Sequence, residues 1–250
     1  MINRYDRQIR VKQIGTPGQK RLAQATIMII GCGGLGSNVA NQLTRSGVKK
    51  LIIVDPDYVT LTNIHRQNLF TEKDAEDKTL KVVAAKRQLN LINSEVEITT
   101  IAKPVTAELI HQQQFDLLID CLDNYSTRKL INDCALADNF TYIFGSCAET
   151  FGNAMAISPR RHPCLNCVFT NLTNLAKNDG KIFGNNAPLV NLVASLQVSL
   201  AMHYLIDKES LNFDQLITVD NWQLAFNKIK VPKNRTCPSC QKYQINKEEK

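Results

Sequence analysis

Aromatic side chains are scarce in this sequence, and so are dense clusters of basic residues. Phe, Trp and Tyr make up 6% of the chain, and no run of Lys and Arg is interleaved with aromatic residues. Proteins that bind single-stranded nucleic acid commonly stack bases on aromatic rings along a basic groove. We therefore expect no nucleic acid partner. The formal net charge of +7, from 30 basic and 23 acidic residues, is compatible with an acidic protein partner or with phosphate groups.

The sequence also lacks an apolar N-terminal segment and an uninterrupted apolar run elsewhere. Residues 1–10 carry several charges, so we expect neither a secretory nor a transit peptide. The most apolar long segment, residues 188–206, is interrupted by polar residues such as Asn191 and His203, which a lipid-facing helix rarely carries. We interpret this segment as a buried helix and a candidate subunit interface. The expected location is the cytoplasm, without membrane attachment.

Histidines are few and do not form a pattern that points to chemistry. The chain has four of them, and their spacing matches neither a metal site nor a base paired with a nucleophile. We expect structural roles for all four, which are His65, His111, His162 and His203.

The clearest local pattern is a βαβ unit over residues 25–55, in which a Gly-Cys-Gly-Gly-Leu-Gly turn joins an apolar strand to a helix. Gly31 allows the tight turn, Gly33 a close approach to phosphate, and Gly36 close packing of helix on strand. Asp55 follows the second strand, 19 positions after Gly36, where its carboxylate can accept hydrogen bonds from ribose hydroxyls. The unit predicts a nucleotide site but does not distinguish a dinucleotide from ATP.

Strands and helices continue to alternate after this unit, which predicts an α/β fold. The further strands are predicted at 96–101, 115–120 and 142–145, and the helices at 81–92, 107–113 and 126–137. Such alternation is typical of a largely parallel sheet covered on both faces. After Gly152 the pattern changes, and antiparallel strands are predicted at 153–157 and within 216–229. We expect a Rossmann-like, mostly parallel sheet with an antiparallel C-terminal extension.

The predicted domain organisation is one domain over residues 1–250. It begins with a helical segment at 1–24 and continues with a nucleotide-binding Rossmann part at 25–150. The part at 151–250 would bind a partner and carry a metal site, described below.

Polar residues concentrate just beyond the second strand, where open α/β sheets bind ligands. Together with segments elsewhere they make the sequence resemble the MoeB/ThiF/HesA family of adenylating enzymes, which are relatives of the ubiquitin-activating enzymes. The matching segments run over almost the whole chain. In chain order they are Arg4-Tyr5-Asp6-Arg7-Gln8, residues 30–36 and 53–57, Asn63-Ile64-His65-Arg66-Gln67, Lys81, residues 120–124 with Arg128, two CxxC pairs, and Ala194-Ser195-Leu196-Gln197.

This resemblance implies an ATP-dependent adenylyltransferase. Its substrate would be the C-terminal Gly-Gly carboxylate of a ubiquitin-like sulfur-carrier protein, ThiS-like or MoaD-like. The reaction would convert this carboxylate to an acyl-AMP and release pyrophosphate. The pathway would be thiamine or molybdopterin biosynthesis, and the enzyme would be a homodimer. Attack by a carboxylate on the α-phosphate brings two anions together, so cationic side chains and a metal ion are required.

The resemblance also implies roles for individual residues. The expected catalytic residues are Arg7, which would reach into the site of a neighbouring subunit, Arg66 and Lys81, which would contact phosphates, and Asp123. Asp123 would bind Mg²⁺, a hard cation that prefers oxygen ligands. The full set of expected nucleotide-binding residues is Gly31, Gly33, Gly34, Gly36, Asp55, Asp57, Asn63, Arg66, Gln67, Lys81, Asp123 and Asn124.

Four of the eight cysteines form two CxxC pairs, Cys164 with Cys167 and Cys237 with Cys240. A disulfide framework is not expected in a cytosolic chain. Two CxxC pairs are instead typical of a structural Zn²⁺ site with four thiolate ligands, here joining distant segments. The family resemblance implies a zinc site at the same pairs.

The other cysteines do not suggest covalent catalysis. Several family members carry a cysteine in the loop between the first CxxC pair and the apolar helix, but residues 168–187 contain none, and Gly180 stands near the aligned position. We therefore expect adenylation without an obligatory enzyme thioester. The remaining cysteines fall in predicted core elements, where a small buried side chain is the common role. They are Cys32, Cys121, Cys134 and Cys147.

Three other interpretations remain open. A microcin-type enzyme would adenylate a short peptide and also lacks the loop cysteine, but such enzymes usually carry an additional N-terminal clamping region, whereas the shared pattern here starts at Arg4. An NAD-dependent oxidoreductase would explain the glycine turn and Asp55 but not Arg66, Lys81 or Asp123. A non-catalytic scaffold would have no physical reason to keep the phosphate-handling residues.

Overall fold

Eight strands form a sheet in the computed structural model, which describes residues 4–177 and 184–244. The strands are β1 (Thr26–Ile30), β2 (Lys50–Val54), β3 (Glu97–Ile101), β4 (Leu117–Asp120), β5 (Tyr142–Ala148), β6 (Phe151–Ile157), β7 (Gln215–Asp220) and β8 (Ala225–Lys230). Their order across the sheet is β3-β2-β1-β4-β5-β6-β7-β8. The first five strands pair in parallel and the last three join antiparallel. The predicted α/β fold, with its antiparallel C-terminal extension, is confirmed.

Helices connect the strands and pack on the sheet. They are α1 (Asp6–Ile9), α2 (Gly15–Leu22), α3 (Gly34–Ser46), α4 (Glu72–Glu76), α5 (Lys81–Ile92), α6 (Ala107–His111), α7 (Tyr125–Asp138), α8 (Leu165–Val168), α9 (Leu172–Lys177), α10 (Ala187–Asp207) and α11 (Pro238–Gln244), with a 3₁₀ turn at Leu61–Asn63. α3 ends where Gly47 adopts a left-handed conformation, with φ of +77°, as is common after helix C-termini.

The two faces of the sheet carry separate hydrophobic cores. Successive side chains of a strand point to opposite faces, so Ile27 and Ile29 of β1 join a core with α3, α5 and α10. Met28 and Ile30 join the other core, with α6, α7 and α9. α3 and α7 therefore lie on opposite faces, and the all-apolar sequence of β1 reflects burial on both sides.

α10 accounts for the most apolar segment of the sequence. By length and composition alone it could cross a membrane, and no other helix in the described part of the chain could. Instead it packs against α3, β5 and β6, and its fully buried Gln197 donates a hydrogen bond to the carbonyl of Asp120 at 2.7 Å. The interpretation as a buried helix is thereby supported, while the subunit interface stays a prediction.

Predicted and observed elements differ mainly at their ends. α3 begins at Gly34, three residues before the predicted start. Glycine is a poor helix former, so Gly34 and Gly36 keep the sequence pattern from indicating this first turn. β5 continues to Ala148 because it pairs along its length with β6, and the local pattern of β5 does not reveal the extent of this pairing. The predicted antiparallel region near 216–229 is a hairpin of β7 and β8.

Candidate functional site

A cleft of about 410 Å³ lies at the C-terminal ends of β1, β2 and β4. β1 pairs with β2 on one side and β4 on the other, and the connections that follow β1 and β4 pass over opposite faces of the sheet. Open α/β sheets bind ligands in the crevice that such a divergence leaves. The cleft therefore stands where the fold itself predicts a site.

The glycine turn forms the floor of the cleft, and its glycines serve different purposes. Gly31 has φ of +91°, and a Cβ there would lie 2.7 Å from the carbonyl oxygen of Cys121. A Cβ on Gly36 would lie 1.9 Å from the carbonyl oxygen of Gly31. At Gly33 the nearest atom would be Nε2 of Gln67, at 3.7 Å. Gly31 and Gly36 are thus required by the backbone, whereas a Cβ at Gly33 would meet only an ordinary contact.

Asp55 is held in a fixed orientation at the end of β2. It is 6% exposed, and its two carboxylate oxygens accept hydrogen bonds from the N–H groups of Cys32, at 2.6 Å, and Asp57, at 2.8 Å. Burial raises the pKa of this carboxyl, while the Lys81 ammonium and the two N–H groups act in the opposite direction. The side chain is therefore a preorganised acceptor.

Lys81 brings a buried cation to the same wall. It is the first residue of α5 and is 6% exposed. Its Nζ lies 2.8 Å from Oδ2 of Asp57 and 3.8 Å from Oδ1 of Asp55. The Asp57 side chain is 64% exposed, against 7% for Asp55. Lys81 thus has one buried and one solvent-accessible carboxylate partner.

The segment after the 3₁₀ turn supplies a second cation and an unpaired acceptor. Nη2 of Arg66 donates to Oδ1 of Asn63 at 2.9 Å, and the Arg66 carbonyl accepts from Nδ2 of Asn38 at 3.3 Å. Gln67 is 3% exposed, yet its Oε1 forms no hydrogen bond with the residues that the structure describes. Buried polar atoms are nearly always paired, so this atom is a candidate for a ligand contact.

Asp123 and Asn124 lie across the cleft, between β4 and α7. Asp123 is exposed. Oδ1 of Asn124 accepts from the N–H of Thr127 at 2.9 Å and so caps α7. Because the cap fixes Asn124, the preceding residue, Asp123, lies directly before the rigid first turn of α7.

Eleven of the twelve predicted nucleotide-binding residues line this cleft, and Gly36 lies behind it. Residues to which the sequence assigned no site role also line it. They include Lys103, Thr127, Arg128, Cys147 and Asn185. Lys103 follows β3 as Asp55 follows β2, so the rule that ligands bind at strand C-termini would have found it. Arg128 belongs to the segments that match the family, but the sequence pattern indicates no chemical role for it.

Arg7 does not line the cleft of its own chain. It is exposed on α1, and the next residue, Gln8, donates to the carbonyl of Ser46 at 2.9 Å. Ser46 ends α3, whereas Gly34 at the other end of this helix reaches the cleft. A helix of this length spans roughly 18 Å, so α1 lies at the far end of α3 from its own cleft.

None of the four histidines lines the cleft. Each of them makes a polar contact outside the cleft, as expected for a structural role. The contacts are His65 with the carbonyl of Thr62, His111 with Asp138, His162 with Asp214, and His203 with Ser210.

The two cysteines that reach the cleft are poor nucleophiles. Burial raises the pKa of the Cys147 thiol to about 12, and burial also raises the pKa of Cys121 well above its ordinary value. Both therefore stay protonated at neutral pH, whereas thiol chemistry requires the thiolate. Cys32, behind the glycine turn, is fully buried.

The two CxxC pairs meet in a buried cluster of four thiols. The Sγ atoms of Cys164 and Cys167 are 3.8 Å apart, those of Cys164 and Cys237 3.7 Å, those of Cys167 and Cys240 3.8 Å, and those of Cys164 and Cys240 3.5 Å. All four sulfurs lie within 4.8 Å of one another. A zinc ion bound tetrahedrally at about 2.3 Å to each sulfur would separate them by about 3.8 Å. The cluster can therefore hold a metal ion.

The sequence model of the ThiF family matches residues 5–239. The chain is 35% identical over 244 residues to the sulfur carrier protein ThiS adenylyltransferase of Bacillus subtilis (strain 168), covering 96% of this chain and 72% of that protein. It is 31% identical over 252 residues to a sulfur carrier protein adenylyltransferase of Thermus thermophilus, covering 96% and 90%. Against the adenylyltransferase and sulfurtransferase MOCS3 of Anopheles gambiae the identity is 32% over 248 residues, and the chain spans 55% of that longer protein.

Solved structures share the fold at lower identity. The microcin C7 biosynthetic enzyme MccB, in complex with N-formylated MccA, superposes with a TM-score of 0.84 at 22% identity, covering 95% of this chain and 75% of that one. A structure of Escherichia coli MccB with ATP gives a TM-score of 0.83 at 23% identity, covering 96% and 75%. At such identities the likeness concerns the fold alone.

Proposed function

This chain belongs to the ThiF family, and from that premise we propose that it uses ATP to adenylate the C-terminal Gly-Gly carboxylate of a ubiquitin-like sulfur-carrier protein. The observation that carries the proposal is the convergence of eleven predicted nucleotide-binding residues on one cleft. Two relatives with 31% and 35% identity are named for the adenylation of sulfur-carrier proteins. The carrier is ThiS-like or MoaD-like, which places the reaction in thiamine or molybdopterin biosynthesis.

ATP fits the cleft with its phosphates toward the start of α3. The first N–H groups of a helix lack intrahelical partners and attract phosphate. Gly33 lines the cleft and has no side chain, so a phosphate can approach its backbone. Asp55 already accepts from two N–H groups and keeps lone pairs for the ribose hydroxyls.

Arg66 and Lys81 balance the charge when a carboxylate approaches the α-phosphate. Lys81 is 6% exposed and is held in the site by Asp55 and Asp57. A phosphate oxygen can replace Asp57 as its partner, since that carboxylate can turn to solvent. Arg66 is oriented by its hydrogen bond to Asn63. Fixed cations of this kind stabilise a charged transition state without reorganisation.

Asp123 is the residue that would hold Mg²⁺. Its carboxylate is exposed at the cleft and follows a rigid turn, and oxygen ligands with substrate phosphates are the usual environment of this ion. When bound, Mg²⁺ supplies charge neutralisation and orientation of the phosphates. Asn124, which fixes the start of α7, keeps the carboxylate in place.

Arg7 would complete the cleft of a second subunit in a homodimer. Its position at the far end of α3 keeps it away from its own cleft. A guanidinium from the partner would add one more cation beside the phosphates.

Zinc is the metal that suits the four-cysteine cluster, because tetrahedral thiolate sites of this spacing are typical of structural zinc. The cluster joins Cys164 and Cys167, before α10, to Cys237 and Cys240 near the C-terminal end. It would fasten the antiparallel extension beside the cleft. Reduced thiols of this kind suit the cytoplasm, where we place the enzyme.

Adenylation proceeds without an enzyme thioester in this proposal. Residues 168–187 contain no cysteine, although 178–183, including Gly180, lie outside the described residues. The thiols at the cleft have raised pKa values. Sulfur would be added to the acyl-adenylate by another protein.

The test is ATP–pyrophosphate exchange in the presence of Mg²⁺, with a ThiS-like carrier, a MoaD-like carrier, both ending in Gly-Gly, or a short peptide. Exchange that depends on one carrier is expected and would identify the pathway. Exchange with the peptide alone would favour the microcin-type alternative. Saturable NADH binding that ATP does not displace would favour the oxidoreductase.

A further inference from the structure

A buried ion pair lies directly behind the turn that carries Asp123. Asp120, the last residue of β4, is 0% exposed and Arg128 in α7 is 3% exposed. Oδ2 of Asp120 and Nε of Arg128 are 3.6 Å apart, and neither atom forms a hydrogen bond with a described residue. A buried pair of this kind is commonly no better for stability than well-packed apolar residues. Stability of the core is therefore a weak reason for its presence.

The pair holds the backbone of a single residue, Leu122, at both its N–H and its carbonyl. The N–H of Leu122 donates to Oδ1 of Asp120 at 3.1 Å, and the carbonyl of Leu122 accepts from Nη2 of Arg128. That carbonyl belongs to the peptide bond that leads into Asp123. The position of the guanidinium therefore sets the direction in which Asp123 leaves the turn.

Arg128 and Asp120 are themselves fixed by neighbouring elements. Nη2 of Arg128 also donates to the carbonyl of Gly145 in β5 at 2.9 Å, which ties the turn to the adjacent strand. The guanidinium carbon lies 5.2 Å from the ring centroids of both Tyr125 and Phe144. A planar guanidinium can serve two carbonyls, a carboxylate and aromatic faces at once, which an ammonium group cannot.

We propose that Arg128 and Asp120 are positioning residues for adenylation, which hold the backbone of Leu122, the residue before Asp123, so that the Asp123 carboxylate faces the phosphates and their metal ion. The inference rests on the proposed function, in which Asp123 binds Mg²⁺. Arg128 and Asp120 act through Asp123. Their substitution therefore raises the Mg²⁺ concentration that the reaction requires, in a variant that still folds.

Two variants test this role. The double variant Asp120→Leu/Arg128→Met replaces the pair by apolar residues of similar size, and Arg128→Lys keeps the charge but loses the two carbonyl bonds. Both are expected to raise the half-saturating Mg²⁺ concentration in ATP–pyrophosphate exchange at least tenfold. Both are also expected to lose the increase in ATP affinity that Mg²⁺ produces in calorimetry. Lys129→Met is the matched control, since Lys129 is the adjacent cation of α7 and is half-buried, and pairs with Asp133 and not with the turn. It should change neither quantity.

The outcomes separate this inference from the proposed function. A folded double variant with the wild-type Mg²⁺ requirement overturns the positioning role, and if that variant does not fold, an unchanged requirement in Arg128→Lys overturns it. A wild-type chain that binds ATP but shows no exchange refutes the adenylation proposal, while calorimetry still tests the positioning role. Equal ATP affinity with and without Mg²⁺ in the wild type overturns the positioning role as well.

Discussion

The cleft and the four-cysteine cluster are both assembled from residues far apart in the sequence, but their polar groups are satisfied to different degrees. Around the cleft, Gln67, Asp120, Arg128 and Asn185 each keep a buried side-chain atom without a hydrogen-bond partner in the described part of the chain. In the cluster, four buried sulfurs lie within 4.8 Å of one another, so that a single metal ion at their centre would bind all four.

This difference indicates that the cluster contributes mainly to stability and the cleft mainly to ligand binding and catalysis. Unpaired buried polar groups destabilise a fold, and they are tolerated where a ligand or a mechanism uses them. A closed set of metal ligands contributes folding free energy. Substitutions in the cleft should therefore reduce activity with little change in stability, and substitutions in the cluster should do the reverse.

The largest effect is expected for Asp123→Ala. Metal-dependent pyrophosphate exchange should fall roughly 10³-fold, a loss of about 4 kcal/mol in transition-state stabilisation. The unfolding midpoint should stay close to that of the wild type, because the side chain is exposed. Asp77→Ala, which removes an exposed carboxylate paired with Lys73, is the control. Wild-type exchange in Asp123→Ala would remove Asp123 from the site.

Cys237→Ser should show the opposite behaviour. We expect the bound metal, measured by elemental analysis, to fall below one ion per chain and the free energy of unfolding to decrease by roughly 3 kcal/mol or more. Cys134→Ser is a suitable control, since Cys134 is buried in α7 but lies outside the cluster. Full metal stoichiometry in Cys237→Ser would refute the zinc site.

Two glycines of one turn sharpen the comparison, because Gly33 lines the cleft and Gly36 lies behind it. Gly36→Ala places a Cβ 1.9 Å from a backbone oxygen and should lower the free energy of unfolding by roughly 2 kcal/mol or more. Gly33→Ala meets only an ordinary contact at 3.7 Å, so it should leave denaturant unfolding unchanged and weaken ATP binding. Equal stability losses in the two variants would contradict the different purposes assigned to them.

The smallest effect is expected for Arg7→Ala, roughly tenfold in exchange, since one charge-assisted hydrogen bond contributes about 1.5 kcal/mol. Mixing this variant with Asp123→Ala should restore activity above either parent. In a mixed dimer, one cleft has its own Asp123 and receives Arg7 from the other subunit. Failure of mixing, with subunit exchange verified, would place Arg7 outside the neighbouring site.

Sequence reasoning succeeded where structure is determined locally. The first strand, the glycine turn and the following helix are close in the chain, and their apolar periodicity and turn chemistry predict them to within three residues. The convergence of Asp55, Lys81 and Asp123 followed from the strand-end rule together with the family resemblance.

The rest depends on contacts between distant segments. The length of β5 is set by its pairing with β6, which the local pattern does not encode. The pairing of Arg128 with Asp120 requires knowing that α7 turns one side chain beneath the preceding loop, against a face of β4. The amino-acid pattern of α7 does not single out that arginine from the half-buried Lys129 next to it.

The most direct measurement is intact mass spectrometry of the carrier protein after incubation with this enzyme, ATP and Mg²⁺. The account predicts a carrier that gains one adenylyl group at its C-terminus, the mass of AMP less one water, and no gain when the terminal Gly-Gly is removed. Release of pyrophosphate should match the amount of modified carrier. An unmodified carrier, in a sample where ATP binding is verified and both carrier types are tried, would contradict the adenylation of a Gly-Gly protein.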